Sequence, residues 1–162
     1  MEASGPLKTV LHELKSLHQT HPDLAAFCAF PNDVSRQDLE PHHIPASDLL
    51  QNQRGLETTL FRDLRDALIE ISPQMLWRET YKHTDIGADF MDRFGCYEII
   101  GRDAPFTSKK MRSFLVYQPP HLHYPWHHHP AEEIYVVIAG EAEFHMQGEP
   151  SRTLLPGQTA FH

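Results

Sequence analysis

At 162 residues, with a formal net charge of −8 from 14 basic and 22 acidic side chains, the chain has the size of one ordinary domain. Its charge repels phosphate backbones, which argues against a nucleic-acid partner and against anionic membrane surfaces. The stretch MEASGPLKTVLHELK has no uninterrupted apolar run, no window reaches the length that spans a bilayer, and Cys28 and Cys96 stand alone, so a cytoplasmic protein with reduced thiols and no membrane contact is expected.

Leu7, Val10, Leu11, Leu14 and Leu17 follow three-and-four spacing and predict an amphipathic helix ending before His21 and Pro22. A second short helix is expected over 23–30. Residues 31–52 hold three prolines and few periodic apolar positions, the pattern of a long connection. A longer helix is predicted over 55–71, where Leu56, Leu60, Leu64, Leu68 and Ile71 form one stripe that should face the core and Pro73 ends it. From Trp77 the pattern changes to short aromatic and β-branched runs, predicting strands over 94–100, 112–118, 133–139, 141–146, 152–155 and from 159. Gly140 suggests a tight hairpin pairing 133–138 with 141–146. The expected organisation is a helical region over 1–75 packed on a β region over 76–162, as one structural domain.

Thirteen histidines are many for this length, and His121, His123, His127, His128 and His129 fall within nine positions. In an extended segment His127, His129, Glu133 and Tyr135 share a parity and can converge on one point, whereas Tyr124, Trp126 and His128 have the other. Two imidazoles and a carboxylate suit one divalent first-row metal ion such as Zn, Fe, Mn, Co or Ni, and leave positions open for water or substrate. The bland alternative is a solvated loop that keeps an edge strand soluble. Against it, Ile134, Val136, Val137 and Ile138 place apolar groups on both faces of the next strand, and a buried Glu133 needs a cation or a proton.

The pattern His127-x-His129-x-x-x-Glu133, followed after six residues by Gly140, resembles the first motif of the cupin superfamily, and Leu155-Pro-Gly-Gln158 resembles the start of its second. His121 stands where the first motif usually begins with glycine. Over nearly the whole length, THPDLAAFCAFP, the central helix and YPWHHHPAEEIYVVIAGEAEFHM resemble the bacterial cupin-type dimethylsulfoniopropionate lyases. The resemblance implies a mainly β fold, a cupin-type β-barrel or jelly roll behind a helical N-terminal region. It also implies β-elimination of dimethylsulfoniopropionate, a zwitterionic sulfonium carboxylate, to dimethyl sulfide and acrylate. A divalent metal held by His127, His129, Glu133 and Tyr135 would bind the substrate carboxylate, with Tyr135 as the base and Tyr124 lining the pocket.

A sulfonium cation favours aromatic faces, which Trp126, Tyr124, Trp77, Tyr81 or Phe90 could supply. Trp126 and Tyr124 are the two assigned to it, the others being read as core, and His123 is either a substrate contact or a support for a ligand. A further cupin histidine is expected either at His162 or beyond it, and in the second case the sequence is incomplete at its C-terminus. Other mononuclear-metal cupins, a dioxygenase or an isomerase, and a non-catalytic small-ligand-binding cupin stay as alternatives, and a homodimer is compatible with the sequence.

Overall fold

The computed structural model describes residues 5–128 and 130–162. Helix α1 (Pro6–Thr20) starts with proline in its first turn and ends at His21, whose extended backbone also caps α2 (Pro22–Phe27), its ring accepting from the Asp23 N–H at 3.2 Å. The helix expected to reach residue 30 stops at Phe27, because Cys28 is fully extended.

The supposed connection over 31–52 contains strand β1 (Ser35–Arg36) and helix α3 (Pro45–Asn52). Pro45, read as a breaker, instead opens α3, where the missing N–H costs nothing. Helix α4 (Arg62–Ile71) is shorter than the predicted 55–71. Residues 55–61 turn instead, with the Thr58 hydroxyl taking the Leu60 N–H at 3.3 Å and the Leu56 carbonyl taking an Arg65 N–H at 2.8 Å. Leu64, Leu68 and Ile71 are buried as the stripe requires, but Leu60 is 61% exposed and lies outside the core.

A four-stranded sheet follows in the order β1-β3-β2-β4, from β2 (Gly95–Ile100), β3 (Phe106–Thr107) and β4 (Ser113–Tyr117). β2 runs antiparallel to β4 and parallel to β3, and all six of its residues are buried. One core joins helices and sheet: Val10, Leu17, Leu64, Leu68 and Ile71 cluster with Trp77, Tyr97, Ile99 and Phe106. Each large side chain so buried contributes ~1.5–3 kcal/mol. The polar tips in this core have partners, since Trp77 Nε1 donates to the Ser72 carbonyl at 2.8 Å and the Tyr97 hydroxyl to Leu68 O at 2.7 Å. Gly95 is required by the packing, because a Cβ there would lie 2.7 Å from the Trp77 ring. Glu98, fully buried on β2, is held by Arg112 and by the Asp103 N–H.

Helix α5 (Ala88–Arg93), not foreseen, leads into β2. Beyond β4 stand two antiparallel pairs, β5 (Ile134–Val136) with β8 (Thr159–Phe161) and β6 (Ala142–Phe144) with β7 (Arg152–Leu154). The expected hairpin between 133–138 and 141–146 is therefore corrected. Gly140 does take a positive φ of 73°, but Ala139 does not, and the tightest hairpin turn needs both central residues there. Gly140 turns the chain into a different pair of strands. Among the described residues, more lie in helices than in strands, so a mainly β description suits the second half alone, the short helices α3 and α5 having no long periodic stripe to announce them. No helix is long and apolar enough to cross a membrane.

Candidate active site

Strand β5 and the loop before it bring the site residues forward. Glu133 is locked to the end of the sequence by a reciprocal backbone pair, its N–H to His162 O at 3.0 Å and the His162 N–H to Glu133 O at 2.9 Å. Two residues on, and hence on the same face of the extended backbone, the Tyr135 hydroxyl donates to Glu133 Oε2 at 2.9 Å. The Tyr135 ring meets those of His162 at 5.3 Å and Phe144 at 5.6 Å. Glu133, Tyr135 and His162 thus form one group, roofed by Phe144 from β6.

A second group gathers around Tyr124. Its ring stacks on His127 at 4.3 Å and 28°, and contacts Phe94 at 4.7 Å, Phe90 at 5.5 Å and, edge-on, Tyr81 at 6.0 Å. Phe90 and Phe94 stack on one another 4.8 Å apart, as residues four apart at the end of α5 do. The Tyr124 and Tyr81 hydroxyls hydrogen-bond each other. His127 is exposed, and its Nδ1 lies 3.0 Å from the Pro125 carbonyl. An N–H at Nδ1 places the lone pair of the neutral ring on Nε2. His127 and Tyr124 have opposite parity in the sequence, yet touch, because residues 118–133 form no strand among those described.

Trp126 is 65% exposed, and its ring lies 6.2 Å from that of His145, centroid to centroid. His123 and His128 are exposed. His129 lies outside the described residues. Trp77, considered for an aromatic wall, is 1% exposed and belongs to the core. Tyr81, Phe90, Phe94 and Phe144 carry more of the site's surroundings than sequence reasoning assigned them. The i, i+4 spacing of Phe90 and Phe94 was the available signal.

The electrostatics are those of a part-buried site. Burial pushes the Tyr124 phenol well above its ordinary range, and its hydrogen bond with Tyr81 adds to this. Tyr135 is raised first by burial and then by the negative charge of Glu133 beside it. Cys96, buried beneath on β2, is likewise raised by desolvation. Among the described residues, no three His, Cys, Asp or Glu side chains converge as a metal-binding group. Oxygen and nitrogen donors do meet, however, as the Glu133 carboxylate, the Tyr135 phenol and the neighbouring His162 ring.

A two-stranded ladder that brings an acid and a tyrosine together beneath aromatic rings forms a candidate small-molecule site. Residues 23–162 match the dimethylsulfoniopropionate lyase family. The dimethylsulfoniopropionate lyase DddQ of Ruegeria pomeroyi DSS-3 is 45% identical over 155 residues, covering 96% of this chain and 77% of that protein. The crystal structure of DddQ from the same organism superposes with a TM-score of 0.94 at 44% identity, over 99% of this chain and 81% of that one. A structure reported with the lyases RdDddP and RnDddQII superposes with a TM-score of 0.91 at 36% identity, over 97% and 80%. The chain belongs to the dimethylsulfoniopropionate lyase family.

Proposed function

We propose that this protein cleaves dimethylsulfoniopropionate to dimethyl sulfide and acrylate in the cytoplasm, using a site built from Tyr135, Glu133 and the Tyr124 cluster on a cupin-type barrel. The observation that carries the reading, beside family membership, is the Tyr135 hydroxyl seated on the Glu133 carboxylate at 2.9 Å. The reaction removes a proton from the α-carbon. Its electron pair becomes the α–β double bond, and the β-carbon–sulfur bond breaks, its pair leaving on neutral dimethyl sulfide.

A divalent metal ion fits the donor chemistry here: His127, His129, Glu133 and Tyr135 would hold it, with the His162 imidazole as a further nitrogen, and the set is free of thiolates. When bound, such an ion polarises the substrate carboxylate and makes the α-proton more acidic.

The protein's own residues supply the remainder. Tyr135 Oη takes the α-proton, and Glu133 fixes where that oxygen stands through their mutual hydrogen bond. Burial first, and then the Glu133 charge, raise this phenol, and a cation bound beside it would offset both and lower it towards a working base. The faces of Tyr124, Phe90 and Phe94 suit the sulfonium end of the substrate, while Trp126 and His123, both exposed, would meet it at the entrance.

The test is dimethyl sulfide release by metal-loaded protein beside Tyr135→Phe. Release that disappears in the variant supports the assignment. A folded, metal-replete protein that releases none refutes it.

A further inference from the structure

Residues 79–86 form a turn between two fixed points. On one side the Arg78 N–H donates to the Cys96 carbonyl at 2.9 Å, and on the other lies α5. Within the turn both the N–H and the hydroxyl of Thr84 donate to the Tyr81 carbonyl, at 3.1 and 2.8 Å, and Lys82 pairs with Glu79 at 2.7 Å. The backbone of Tyr81 is therefore tied down, and its ring is set edge-on against Phe90 at 5.7 Å, Phe94 at 6.2 Å and Tyr124 at 6.0 Å.

Packing does not ask for a phenol at this place. The two neighbouring members of the cluster are phenylalanines, and a phenylalanine at position 81 would keep all three ring contacts. What the hydroxyl adds is its hydrogen bond with Tyr124 Oη. Two phenols sharing one hydrogen bond have one proton left to give. Either hydroxyl can be the donor, and in both cases the bond fixes where the Tyr124 oxygen stands beside a bound substrate.

We infer that Tyr81 is a positioning residue of the lyase site, its hydroxyl holding the Tyr124 phenol in the orientation that meets the substrate. The inference rests on the lyase reading above. Tyr81 acts through Tyr124, so its effect vanishes once the Tyr124 hydroxyl is gone.

The experiment is a double-variant cycle on the full-length protein with dimethylsulfoniopropionate as substrate, measuring kcat and KM for wild type, Tyr81→Phe, Tyr124→Phe and both together, with thermal melting of each. Tyr81→Phe should lower kcat/KM by about three- to tenfold, the loss of one neutral hydrogen bond, with a melting temperature close to wild type. The double variant should be no slower than Tyr124→Phe alone. Wild-type kinetics in Tyr81→Phe overturn the inference, as does a double variant whose loss equals the product of the two single losses. Both results leave the lyase assignment standing, whereas a wild type that releases no dimethyl sulfide overturns the assignment and this inference with it.

Discussion

Tyr135 and Glu133 sit two residues apart on one face of the segment leading into β5, and their side chains meet at 2.9 Å, hydroxyl to carboxylate. The phenol is thus placed by a neighbour whose backbone is itself locked to His162. Tyr135→Phe should lower kcat by about 10²–10⁴-fold, the range spanned by a lost general base, while its ring still packs on Phe144 and His162. Steady-state kinetics with circular dichroism check this, and a variant within a few-fold of wild type would remove Tyr135 from the chemistry.

Chelation should abolish turnover reversibly. Protein stripped with a strong chelator should release no dimethyl sulfide, and adding back one of Zn, Fe, Mn, Co or Ni should restore it, because this N/O donor set accepts any of them and availability decides. Full activity in stripped protein, checked by elemental analysis, would refute the metal dependence.

The meeting of Glu133 and Tyr135 could be read in the sequence, and the reason is specific. Glu133 and Tyr135 lie in a segment that becomes extended, where residues two apart share a face, so parity located them. Parity says nothing of His127 against Tyr124, because the loop holding them is not a strand. Tyr81 and Phe90 were considered and read as core, and Phe94 was not singled out, because aromatics that wall a site and aromatics that fill a core have the same local pattern. In the fold, α1 and most strands were legible from periodicity. Pro45 and Gly140 misled because each has two uses, Pro45 opening a helix and Gly140 turning the backbone without forming a hairpin.

Gly95→Ala should destabilise the fold without touching the chemistry directly. The new Cβ would stand 2.7 Å from the Trp77 ring and 3.0 Å from Ala46 Cβ, both in the packed core. Overpacking of this kind costs about 1–3 kcal/mol. Urea unfolding measures it, and an unchanged midpoint would show that Trp77 can shift.

Arg112→Ala removes the side chain that neutralises Glu98, which is fully buried and keeps the Asp103 N–H as its other hydrogen-bond partner among the described residues. Since Arg112 is itself 56% exposed, the loss should fall below that of a wholly buried pair, about 1–3 kcal/mol. Arg112→Ala with Glu98→Gln should recover part of it. No recovery would mean that the carboxylate charge is not the source of the cost.

Alkaline stability should depend on Tyr97, whose phenol is raised by burial. Above pH ~10 the unfolded protein loses this proton while the folded protein keeps it, so stability falls as pH rises, by up to ~1.4 kcal/mol per pH unit for one such group. Tyr97→Phe should be less stable at neutral pH, having lost its bond to Leu68 O, yet should decline less steeply above pH ~10. Equal slopes in the two proteins would contradict this.

Product analysis of wild-type protein, loaded with metal and given dimethylsulfoniopropionate, decides whether this site is a lyase. Dimethyl sulfide and acrylate are expected in equal amounts, with no oxygen consumed. Folded, metal-loaded protein that forms neither product, or that forms another product from this substrate, would contradict the elimination and the roles given to Tyr135 and Glu133.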